Sequence, residues 1–119
     1  MIDGATPTPE QELRAAAAKL RGLATDATPG PWWDERTKTA WGQAPEIEVA
    51  SSRGTIAELP ESENGQSNAL YIAVMHPGVG LALADWLDAE ADYYAPSPTH
   101  PTHLVHALAV ARAINGDPS

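Results

Sequence analysis

Prolines punctuate this chain, and their placement limits its architecture more than any other feature. Pro29 and Pro31 stop any helix that reaches them, Pro60 ends a stretch of strand character, and Pro96 and Pro98 break the chain again. Pro9 and Pro77 sit where a proline is welcome, at the first position of a helix. The periodicity between these marks identifies the segments. Before Pro29, Leu13, Ala16, Ala17, Leu20, Leu23 and Ala24 recur at three- and four-residue steps, the stripe of an amphipathic helix over about 9–25. Thr8 and Gln11 frame its start as a capping box.

Between Pro31 and Pro60 the texture becomes that of strands. Trp32-Trp33-Asp34-Glu35 forms a short strand that Lys38-Thr39-Ala40-Trp41 extends. Glu46-Ile47-Glu48-Val49-Ala50 alternates polar and apolar, Ser52-Arg53-Gly54 supplies turn residues, and Thr55–Leu59 returns. The register of this hairpin stays open, because Ile56 does not alternate cleanly with its neighbours.

After the polar loop 61–66, Ser67 or Asn68 caps a short helix from Ala69 to Met75, and Pro77 opens a longer one to about Tyr94. Val79, Leu83, Trp86, Leu87 and Tyr94 share a face of that helix, opposite Asp85, Asp88 and Asp92. Glu90 falls in the apolar sector, and Arg112 is its expected partner as the sole base after residue 60. The last helix runs from near His100 to Asn115, with Gly116 as its stop. Leu104, Ala107, Leu108, Ala111 and Ile114 form its core face, widened by Val105 and Val110. The expectation is an α+β fold: a small antiparallel two- or three-stranded sheet packed against about four helices, in the order α-β-β-(β)-α-α-α. The 119 residues suit a single domain, 1–119, with flexible tails at 1–7 and 117–119.

Composition excludes several functions. The absence of cysteine removes disulfides, thiolate metal sites and a cysteine nucleophile. The net charge of -9 is concentrated after residue 60, where seven acids face one base. Nucleic-acid binding needs clustered cations to replace released counterions, so direct binding of this kind is not expected. The N-terminus lacks the basic and apolar pattern of a secretory signal, and no apolar run approaches a membrane span. These features indicate a cytoplasmic protein without a membrane partner.

The stretch ATPGPWW at 27–33, the segment NALYIAVMHPGVGLALADWL at 68–87 and the ending HALAVARAING at 106–116 resemble small proteins of actinobacteria and their phages. The pattern is similar to the Ead-like accessory proteins of temperate phages. The resemblance covers most of the chain but omits residues 34–66. It implies a phage or mobile-element context and no particular reaction. It supplies no catalytic residues and no cofactor. The first functional expectation is a non-enzymatic interaction protein that binds a host or phage protein through its tryptophan-bearing β region or its acidic helix.

Three groups of residues merit a functional reading. Trp32, Trp33 and Trp41 are ligand- or partner-binding candidates. Neighbouring strand residues point to opposite faces, so one of Trp32 and Trp33 must lie outside the core beneath the strand. An exposed indole suits a protein hot spot or stacking on a small ligand such as a nucleotide. His100, His103 and His106 are spaced at threes, but a helix turns them progressively apart, so a metal-dependent hydrolase is the last alternative and no metal site is assigned. His76-Pro77-Gly78-Val79-Gly80 opens a helix but lacks the glycine pattern and preceding strand of a phosphate-binding loop, and close packing accounts for its glycines.

Overall fold

A computed structural model describes residues 6–37, 46–60, 62–94 and 102–116. The expected tails, the strand extension at Lys38–Trp41, the breaks at Pro96 and Pro98 and the helix start at His100 lie largely or wholly outside these residues. The described chain is α+β, in the order α1 (Pro9–Asp26), β1 (Trp33–Thr37), β2 (Glu46–Ser51), β3 (Gly54–Leu59), α2 (Gly65–Val74), α3 (Pro77–Tyr94) and α4 (Thr102–Asn115). It divides into two compact units, Met1–Leu23 with Leu81–Ser119, and Ala24–Gly80.

The first unit is helical. The capping box forms at the start of α1: the Thr8 N–H donates to Gln11 Oε1 at 2.9 Å, and the Gln11 N–H donates to Thr8 Oγ1 at 3.1 Å. The core combines Leu13, Ala16 and Ala17 of α1 with Ala84, Leu87 and Ala91 of α3 and Leu104, Ala107, Leu108 and Ala111 of α4. Alanine supplies six of these ten positions, and small side chains let helix backbones approach closely. The core face of α3 is thus its alanine face. Trp86 lies outside it, because the space between these helices suits a methyl group and not an indole. Val105 is likewise exposed, so the buried side of α4 is narrower than its apolar residues suggest.

Ion pairs border this core. Arg14 reaches Glu10 at 2.9 Å and Asp92 at 2.7 Å, and Arg21 reaches Asp85 and Asp88 at 3.0 Å each. Donating hydrogen bonds to Asp92 and Glu10 holds the Arg14 guanidinium above its ordinary pKa, and donating to Asp85 and Asp88 does the same for Arg21. Arg112 of α4 makes a two-pronged bond to Glu12 of α1, 2.9 Å from Nε to Oε1 and 3.1 Å from Nη2 to Oε2. The Asn115 side chain donates to the Glu12 carbonyl at 3.2 Å. Gly116 has φ +81°, the left-handed conformation that ends a helix without Cβ strain.

The second unit is a three-stranded antiparallel sheet, order β1-β2-β3, covered by α2. Ile47 and Val49 of β2 pack with Ala69 and Ala73 of α2, flanked by Trp32, Ile56, Ala57, Leu59 and Ile72. The hairpin turns at Ser52-Arg53, with the Arg53 N–H held by Ser51 Oγ at 3.1 Å and Gly54 at φ +122°. A bulge resolves the register: Val49 pairs with Ala57 and Ala50 with Thr55, leaving Ile56 as the extra residue. Ile56 and Ala57 both contact the core, the re-aiming a bulge permits.

The helix α2 begins at Gly65, earlier than its polar residues suggest, and Asn64 at its N-cap makes no side-chain capping bond. Ser67 and Asn68 lie inside the helix. The start is set by packing: a Cβ on Gly65 would lie 2.5 Å from the Pro60 carbonyl oxygen and 2.9 Å from Ile47 Cδ1. Among the described residues, no single helix is long and apolar enough to cross a membrane.

Candidate functional site

The second unit separates the adjacent tryptophans as strand alternation requires. Trp32 packs against the sheet core, half-buried, and its indole N–H donates to the Thr28 carbonyl at 3.0 Å. Its polar atom is therefore satisfied within its own loop. Trp33 begins β1 and is 40% exposed. The peptide bond joining Gly30 to Pro31 just before them is cis.

An open cavity of about 420 Å³ lies beside these rings, within the roughly 300–1,000 Å³ of ordinary ligand pockets. Pro31, Trp32, Trp33 and Asp34 form one wall, and Leu70, Ala73, Val74 and His76 form the other. The Asp34 carboxylate accepts a hydrogen bond from Gln66 Nε2 at 2.7 Å, which fixes it at the base of α2. The His76 ring is wedged between two glycines: a Cβ on Gly30 would lie 2.6 Å from Nδ1, and one on Gly78 would lie 2.7 Å from Cε1. Its Nδ1 accepts the Gly78 N–H at 3.1 Å, capping the start of α3. In the neutral ring this leaves the proton on Nε2.

The apolar surface continues beyond the cavity. Leu70, Tyr71, Val74 and Met75 are all exposed, by 46%, 70%, 64% and 42%. The helix α2 is therefore apolar on two sides. Ala69 and Ala73 face the sheet, while larger residues face solvent beside Trp33. A solvated helix ordinarily carries polar groups on its outward side, so these exposed apolar residues make this side of α2 a candidate contact surface.

The structure thus brings Trp32 and Trp33 to one cavity, whereas Trp41 lies outside the described residues. His106 is exposed on α4. His100 and the side chain of His103 lie outside the described residues, and among those described no cluster of histidine and carboxylate has metal-binding geometry. Sequence reasoning placed His76 only at a helix junction and did not join it to the site. Two glycines that flank one histidine were the available signal, but one of them, Gly30, is 46 residues away in the chain. The exposed side of α2 was also missed, because a short apolar helix reads the same whether one side or both are covered.

The chain matches no family model, no curated protein and no solved structure at a significant level.

Proposed function

We propose that this chain is a non-enzymatic binding protein that docks a protein partner on the face formed by Trp33 and the outward side of α2. The observation that carries this reading is a half-exposed indole bordering a cavity, with three exposed apolar side chains of α2 and its C-cap Met75 nearby. Aromatic anchors surrounded by aliphatic groups are the usual centre of a protein interface. The net charge of -9, and Asp34 and Glu35 directly after Trp33, favour a partner whose apolar anchors are flanked by basic residues. The resemblance to phage accessory proteins favours a host or phage protein as the proposed partner, and the N-terminal sequence pattern favours the cytoplasm as the proposed setting.

The cavity supports one second reading, a small planar ligand such as a nucleotide base stacked on Trp33 with His76 opposite. The two readings separate in one experiment. The full chain and its Trp33→Ala and Val74→Asp variants are titrated with a nucleotide panel, with indole fluorescence as readout, and used as bait against lysate of the producing cells. Protein binding predicts no fluorescence response, and a partner that, once purified, binds both variants at least tenfold more weakly. A saturable response to a nucleotide that Trp33→Ala abolishes and Val74→Asp retains transfers the site to the ligand reading. A partner that binds all three chains equally overturns the docking face.

A further inference from the structure

The cavity in the sheet unit is selective in its charge. Apart from His76, Asp34 is the only titratable residue in its lining, and α2 carries no charged residue. The Nδ1 of His76 is engaged by the Gly78 N–H, so the Asp34 carboxylate is the side-chain acceptor that an occupant meets. Gln66 Nε2 holds one of its oxygens, Oδ2, at 2.7 Å. Among the described residues, Asp34 has no cationic partner and Oδ1 accepts no hydrogen bond. Strand pairing brings this carboxylate and the indole together. Asp34 pairs with Val49, a core residue beneath α2, whereas Trp33 pairs with Ala50 on the other face of the sheet. A cavity lined by both therefore reaches around the edge of β1, which has no strand on its outer side among the described residues.

These groups fit a guanidinium. An indole face attracts a cation through its quadrupole, and a planar guanidinium can lie flat on the ring while its in-plane N–H groups reach a carboxylate. Asp34 Oδ1 is the oxygen left for that bond. An ammonium is a compact, strongly hydrated charge, and it loses more hydration against a wall of Pro31, Leu70 and Val74. The same aliphatic groups suit the methylene stem of an arginine. At about 420 Å³ the open cavity has room for one such side chain. The charge of the unit agrees, since residues 24–80 hold eight acids and three bases. We propose that the cavity receives an arginine side chain of the docked protein, its guanidinium stacked on Trp33 and bonded to Asp34. That the arginine belongs to a protein rests on the docking reading; the guanidinium chemistry does not.

The probe is N-acetyl-arginine amide, titrated into the isotope-labelled full chain. The indole N–H of Trp33 and the side-chain amide of Gln66 are followed in proton–nitrogen correlation spectra. Saturable shifts of both are expected, with a dissociation constant below about 20 mM. The citrulline analogue keeps the planar shape without the charge and is expected to bind at least tenfold more weakly, and the lysine analogue at least threefold more weakly. Asp34→Asn and Trp33→Ala, each confirmed folded by circular dichroism, weaken arginine binding at least fivefold. Glu58→Gln removes the same charge from an exposed position on β3 and leaves binding within twofold. The proposal is overturned by the absence of a saturable shift, by citrulline or lysine binding as tightly as arginine, by unchanged binding in Asp34→Asn, or by an equal loss in Glu58→Gln. The titration needs no partner, so it succeeds or fails separately from the docking face. Arginine binding with no captured partner sustains the cavity site and counts against docking alone. A purified partner that needs Trp33 but binds Asp34→Asn unchanged keeps the docking face and overturns the arginine.

Discussion

The imidazole of His76 occupies the space that a side chain at position 30 would need, with Nδ1 2.6 Å from where a Cβ on Gly30 would stand. The glycine of the Pro-Gly-Pro turn is therefore a packing requirement, and the contact joins the loop before Trp32 to the start of α3. Gly30→Ala must displace the ring and disturb its capping bond to Gly78. The expected cost is about 1–3 kcal/mol in urea unfolding. In a His76→Ala background the same substitution has space, so most of that cost disappears, and a double-mutant cycle measures the coupling.

The two adjacent tryptophans should behave oppositely. Trp32→Ala removes an indole from the sheet core and leaves the Thr28 carbonyl without its donor, so a loss of roughly 2–4 kcal/mol is expected. Trp33→Ala removes an exposed ring and should change stability by less than about 1 kcal/mol. Partner binding reverses the order: Trp33→Ala weakens it while the fold is kept. Paired denaturation and binding measurements on the two variants check both halves.

Thr8→Ala deletes one side of the reciprocal bond at the start of α1 and should cost about 1 kcal/mol. Gln11→Ala removes the returning bond to the Thr8 N–H, an exposed group that water can satisfy, and should cost less. Amide exchange in the first turn of α1 should quicken in both variants, more so in the first.

Glu12→Gln weakens the charge-assisted bond to Arg112 and should lower stability by about 1–2 kcal/mol. The Arg14 and Arg21 pairs are exposed, so their effect should be reduced by salt, whereas the Glu12 effect should persist because that carboxylate is only 12% exposed. The raised Arg14 and Arg21 values contribute stability that is present below the ordinary guanidinium pKa and lost only as pH rises past the folded value. These groups therefore predict no change across neutral pH. Unfolding series at low and high salt, at pH 6 and pH 8, test the set.

The fold was legible wherever one local rule acted without competition. The capping box of Thr8 and Gln11, the α1 stripe, the hairpin around Ser52-Arg53 and the stop at Gly116 all follow from neighbouring residues. Features decided by distant contacts were not legible. The start of α2 depends on Gly65 meeting Pro60 and Ile47. The core face of α3 depends on alanines on other helices, which turned Trp86 outward. Glu12 lies 100 residues from Arg112, beyond any reading along a single helix. Within the candidate site, alternation showed that one indole must leave the core. Which one required a three-dimensional fact, the Thr28 carbonyl that receives the Trp32 N–H.

The docking face is tested most directly by a photoreactive amino acid placed at position 74 of the full chain in the producing cell, with position 19 on α1 as control. The account predicts one defined protein adduct from position 74, identifiable by mass spectrometry, absent from position 19 and lost when Trp33→Ala is introduced alongside. An adduct that survives Trp33→Ala, or none from position 74, contradicts it.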